Sequence, residues 1–112
     1  MSILEQLSSL SNYYLGDLAI ALCNLAAVFL MDNALDKAKE YTDKALECFN
    51  HLSDGEMYHI SSVYNVIGDI YFMEQDNRNT LVAYEEAMGW ISRYYGKNFE
   101  YQKIAEKVQC LI

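Results

Sequence analysis

"NLAAVFLMDNALDKAKEYTDKALE", Asn24–Glu47, joins an apolar run to a mixed-charge run across the two-residue break Asp32-Asn33. Before the break, Leu18, Leu22, Leu25, Ala26 and Phe29 recur at steps of three and four, which is one face of a helix. After it, Leu35, Ala38, Tyr41, Ala45, Leu46 and Phe49 form a second stripe, with Asp36, Lys37, Lys39, Glu40, Asp43 and Lys44 opposite. Glu40 and Lys44 stand in the favourable i,i+4 order on that polar face. Two helices joined by so short a turn run antiparallel, and their axes approach closely only where side chains are small. That requirement accounts for the alanines. Ala26 is placed to face the second helix, Ala38 to lie opposite it, and Ala45 to receive the next helix pair. Phe29 fills the wider space beside them, and Asp32-Asn33 offers a cap for the second helix.

The pattern returns 42 residues later. Leu22 falls on Tyr64, Leu25 on Ile67, Ala26 on Gly68, Phe29 on Tyr71, Ala45 on Ala87 and Leu46 on Met88, and the break falls on Glu74-Gln75. A helix–turn–helix written twice predicts a repeat architecture. Around it the chain reads as about six helices. Ser2 and Glu5 have capping-box spacing and open a first helix to about Tyr14, which Gly16 stops while Asp17 caps the next. Ser53 and Glu56, with Gly55 between, open the fourth at about residue 56. "QDNRN" ends that helix, and a fifth carries Leu81, Tyr84, Ala87, Met88 and Ile91. "YYGKN" leads to a last helix with Ile104, Ala105, Val108 and Leu111.

Composition agrees with an all-α chain. There is no proline among 112 residues, and 53% are apolar against 21% charged. The expectation is one domain: an N-terminal helix over 1–16, first repeat 18–50, second repeat 56–94, and a C-terminal helix or partial repeat over 97–112. The formal charge of −8, without any Lys/Arg run, argues against nucleic acid as a partner. Leu18–Met31 is too short for a membrane span, and "MSILEQLSSL" lacks the regions of a cleaved signal. Cys23, Cys48 and Cys110 form an odd set without metal spacing, as in a reducing, cytoplasmic protein.

The recurring positions resemble those of the tetratricopeptide repeat (TPR) family. Leu22, Leu25, Ala26, Phe29, Ala38 and Ala45 match in the first copy. Tyr64, Ile67, Gly68, Tyr71, Tyr84 and Ala87 match in the second. The long period is similar to that of kinesin light chains and many bacterial TPR proteins, and "YYGKNFEYQKIAEKV", Tyr94–Val108, resembles the link and first helix that follow in that subclass. The departures are Thr42 at an aromatic place, Thr80 at a small one, Asn50 at the closing proline, and Asn33 and Gln75 at the turn glycine. The resemblance implies antiparallel helix pairs stacked as a short right-handed superhelix with an inner groove that grips a protein or peptide.

Carried over by position, the groove would show Ile20, Cys23, Asn24, Ala27, Leu30 and Met31 from the first copy. The second would add Ser62, Asn65, Val66, Asp69, Phe72 and Met73. Asn24 and Asn65 can bond a peptide backbone, or equally cap and bond locally. Repeats that hold a terminal carboxylate use Lys and Arg on this face, and none stands between Met1 and Leu35. The groove is therefore expected to be apolar, although the same Met and Phe can belong to the core.

No nucleophile–base pair, phosphate-cradling loop or paired carboxylates can be read, and His51, Asp54 and His59 lack ligand spacing. The expected protein is non-catalytic, without cofactor or metal. Two other readings stay open. The apolar end at Val108, Leu111 and Ile112 can complete itself against a second copy as a homodimer. A ligand- or peptide-sensing regulatory domain is the other. The doublets Tyr13-Tyr14 and Tyr94-Tyr95 each turn one ring outward, as interfaces and ordinary surfaces both do.

Overall fold

The computed structural model describes residues 12–52 and 59–111. Its elements are α1 (Asn12–Met31), α2 (Leu35–Asn50), α3 (Ile60–Met73), α4 (Asn77–Tyr95) and α5 (Phe99–Leu111), with no strand among the described residues. No helix is long and apolar enough to cross a membrane among those residues. The chain divides into two compact units, residues 1–59 and 60–112. The capping pairs Ser2–Glu5 and Ser53–Glu56, and Ile112, lie outside the described residues.

In the first unit α1 and α2 form an antiparallel hairpin. Ala26, Ala38 and Ala45 are all fully buried, as close approach of the two helices requires. The α1 stripe is rotated from the expected one. Leu15, Ala19, Leu22, Cys23 and Ala26 are buried, whereas Leu25 is 45% exposed. Gly16 and Asp17, expected to end one helix and cap the next, instead lie inside α1. A glycine in a helix costs only about 1 kcal/mol, less than fully burying one leucine such as Leu15, at roughly 1.5–3 kcal/mol. The helix therefore runs through. From α2, Phe49 is 1% exposed, and Phe29 stacks on Tyr41 at 5.3 Å. Glu40 pairs with Lys44 at 3.7 Å on the solvent face, where such a pair contributes little.

The turns of the two hairpins close with the same bonds one period apart. Asn33 N–H donates to Leu30 C=O and Ala34 N–H to Phe29 C=O; Gln75 N–H donates to Phe72 C=O and Asp76 N–H to Tyr71 C=O. This arrangement ends a helix on a left-handed residue. Asn33 (φ 61°) and Gln75 (φ 63°) are those residues, at the places where glycine is absent. Asp32 and Asn33 therefore shape the turn and do not cap α2.

The helix that follows each turn starts differently. Asp76 caps α4, its Oδ1 accepting from Asn79 N–H at 3.2 Å. Its counterpart Ala34 has nearly the same backbone angles and no side-chain acceptor. Ala34→Ser should supply the missing acceptor without adding a carboxylate beside Asp32 and Asp36. The expected gain is about 1 kcal/mol, read as a rise of roughly 4–8 °C in the thermal midpoint of the helical circular dichroism signal.

The second unit repeats the hairpin with α3 and α4 and adds α5. Gly68 is buried, and a Cβ there would lie 2.4 Å from the Tyr84 ring, so the glycine lets an aromatic lie flat against α3. Thr80 is fully buried and Thr42 nearly so. Each bonds its hydroxyl back to a carbonyl of its own helix, Asp76 at 2.7 Å and Lys39 at 2.9 Å, so neither leaves a buried hydroxyl unsatisfied. Asn98 opens α5 by accepting from Tyr101 N–H at 3.0 Å. Ile104 of α5 then completes a cluster with Tyr84, Ala87 and Ile91.

Candidate functional site

Asn65, Asp69, Phe72 and Met73 recur at four, three and one along α3 and share one stripe of it. Phe72 and Met73 are 52% and 44% exposed. The polar half of the stripe is engaged by α5. Lys107 Nζ donates to Asn65 Oδ1 at 3.0 Å and to Asp69 Oδ1 at 3.1 Å, and lies 5.3 Å from the centre of the Tyr84 ring. Asp69 also accepts from the Tyr84 hydroxyl. Burial pushes the Tyr84 phenol well above its ordinary range, and bonding to the Asp69 carboxylate and its charge add to that. The phenol is therefore a fixed donor. The side chains of Lys107 and Asp69 remain 40% and 32% open to water, so their ion pair alone contributes under about 1 kcal/mol.

Beside this network runs an open groove of about 480 Å³ between α3 and α5, bordered by Asn65, Lys103, Ile104, Lys107 and Cys110. A smaller recess of about 80 Å³ lies next to Ser61, Asn65 and Ile104. Asn65 borders both. With Glu100 and Glu106 also on its border, the arrangement offers an amide, lysines, glutamates and an apolar floor, which together suit hydrogen bonding and ion pairing with a docked chain.

In the first unit, Asn24 is exposed, Ala27 half-buried and Met31 85% exposed. Ile20 and Leu30 are half-buried. Cys23 and Val66, expected on the open face, are buried instead. Asn24 and Asn65 do not share a place: the 42-residue shift puts Asn24 on Val66 and Asn65 on Cys23. Val108 and Leu111, expected as an apolar end, are half-buried against the cluster of Tyr84, Ala87, Ile91 and Ile104.

Lys107 was not anticipated as part of the site. Extending the shift once more would have found it, because Lys107 stands one period after Asn65. Leu25, Val28 and Met31 also form an exposed apolar line on α1 that the helical spacing had assigned partly to the core.

Comparison with protein families, curated proteins and solved structures finds no match to this chain.

Among the described residues no three His, Cys, Asp or Glu side chains converge. Burial pushes the Cys23 thiol up to about 11 and raises that of Cys48, to which the neighbouring Glu47 adds. Cys110 is exposed. A raised pKa lowers the reactive thiolate at a given pH. Iodoacetamide at pH 8 should therefore alkylate Cys110 first, at least about tenfold faster than Cys23 or Cys48. Peptide mass spectrometry of the timed reaction checks this.

Proposed function

We propose that the chain is a non-catalytic, tetratricopeptide-like scaffold of the cytoplasm that docks a protein or peptide along α3. The carrying observation is the stripe on which Asn65, at the head of the α3–α5 groove, is followed by exposed Phe72 and Met73. The repeat reading is supported by two turns that match bond for bond 42 residues apart and by buried small residues at the matching places. Asn65 and Lys107 would meet the docked backbone and its carboxylates, while Phe72 and Met73 would take up apolar side chains. Affinity capture from the native lysate, with the full chain as bait, tests the reading. The pair Asn65→Ala and Phe72→Ala should lose the captured protein while keeping the helical signal. Undiminished capture would remove α3 as the docking face.

The exposed line Leu25, Val28 and Met31 favours one second reading, a homodimer through α1. Sedimentation equilibrium at tens of micromolar separates the two: a dimer that Val28→Glu dissolves supports it, and a monomer throughout excludes it.

A further inference from the structure

The side of α1 turned away from α2 is open to solvent. Asp17, Ala21, Leu25, Val28 and Asp32 recur at steps of four and three, and all five are exposed. Asp32 directly follows the last residue of α1 and keeps the stripe, because its N–H donates to Val28 C=O at 3.1 Å. The buried Ala19, Leu22 and Ala26 lie on the opposite side of the helix. The centre of the open stripe is therefore apolar with one small residue in it, and each end is a carboxylate. Fifteen positions separate the two aspartates, about 22 Å along a helix axis.

The charge of the unit that holds α1 decides what can cover this face. Residues 1–59 contain nine carboxylates against three cations, and residues 60–112 seven against five. No cation precedes Lys37. A second copy laid antiparallel, with Ala21 of one against Val28 of the other, sets Asp17 beside Asp32 at both ends. A parallel copy sets each aspartate beside its own counterpart. Either way like charges meet, in units that are already strongly acidic, and such juxtaposition opposes association. Anionic lipid is disfavoured for the same reason.

We propose that this face docks a basic amphipathic helix of a partner protein. The apolar side chains of that helix lie along Leu25 and Val28 and close over Ala21, where the short side chain lets the two axes approach. A lysine or arginine near each of its ends meets Asp17 and Asp32. A helix is favoured over an extended segment by backbone accounting. Ala21, Leu25 and Val28 offer no donor or acceptor to an extended chain, whereas a helix bonds its own N–H and C=O groups. The proposal does not rest on the α3 stripe, and it gives the α1 line an occupant other than a second copy.

The test uses the full chain and a fluorescein-labelled synthetic peptide of about eighteen residues, with leucines at steps of four and three and a lysine near each end. Saturable binding by anisotropy is expected, with a gain in helical circular dichroism, since so short a peptide is largely unfolded alone. Affinity should fall several-fold as salt rises from about 0.05 to about 0.5 M. The pair Asp17→Lys and Asp32→Lys should weaken binding at least about tenfold with the chain's own helical signal unchanged, and should instead take up a peptide that ends in glutamates. The proposal is overturned by an absence of saturation, by equal binding of the glutamate-ended peptide to the unaltered chain, or by a charge-reversed pair that holds the lysine peptide undiminished. Sedimentation of the chain alone as a dimer that Val28→Glu dissolves would give the face to a second copy. Tighter binding to phosphatidylserine vesicles would give it to a membrane. Either result overturns the proposal as well.

Discussion

Gly68→Ala should destabilise the second unit by about 2 kcal/mol and lower its melting midpoint by roughly 10 °C. Two opposed effects set this number. In an exposed helix the change would add about 1 kcal/mol of helix propensity. Here the new methyl would lie 2.4 Å from two carbons of the Tyr84 ring. The ring cannot easily withdraw, being 3% exposed and held at its far end by the hydroxyl bond to Asp69. Overpacking of this kind costs about 1–3 kcal/mol or more, and a pinned ring puts it at the upper end. Packing therefore wins over propensity.

The first unit indicates how the loss can be undone. One period earlier stand Ala26 and Thr42, both buried, where the second unit has Gly68 and Tyr84. A larger residue on the first helix goes with a smaller one on the second. Tyr84→Thr alone should cost several kcal/mol through lost burial, the vacated space and the Asp69 bond. Added to that background, Gly68→Ala should reverse sign and stabilise by up to about 1 kcal/mol. Chemical denaturation of the four proteins of this cycle checks the claim. Equal destabilisation by Gly68→Ala in both backgrounds would show that the ring is not what the glycine accommodates.

This pairing also explains which parts of the molecule could be read from residues. The alanines, Gly68 and the turns were legible because each is a local demand: two axes approach only past short side chains, and a helix reverses only at a break. Thr42 looked like a departure from the pattern because it was read singly. Paired with Ala26, it is the same packing solution with the volume moved across the interface. Leu25 and Gly16 were misread because spacing alone leaves a helix face uncertain by one residue, and because glycine's cost in a helix is small beside burial of Leu15 and Ala19. Of the candidate site, spacing placed the α3 stripe on one helix face and gave no sign of the α5 side. Lys107 reaches Asn65 and Asp69 across the fold, and a lone lysine among Glu106, Lys103 and Gln102 carries no local sign of that reach.

Ile104→Ala should release α5 while leaving α3 and α4 packed. Ile104 is the only buried side chain that α5 contributes among the described residues, at 2% exposure. Truncating a buried isoleucine costs about 2–5 kcal/mol. The remaining ties are the half-buried Val108 and Leu111, the Asn98 cap and the Lys107 network, whose ion pair is screened by water. A helix of 13 residues does not persist on its own in water. The open population of α5 should therefore rise by at least about thirtyfold, from the lower bound of that cost. Trypsin cleavage after Lys103 should speed up in proportion, while amides of α3 and α4 keep their protection from hydrogen exchange. Lys107→Ala should speed cleavage only about fivefold, the equivalent of about 1 kcal/mol. The contrast decides what holds the groove together: α5 forms one wall of it, so whichever residue keeps that helix docked also sets whether Asn65 borders a groove at all. If Lys107→Ala opens α5 as widely as Ile104→Ala, the polar network, not the apolar anchor, is the dominant tie.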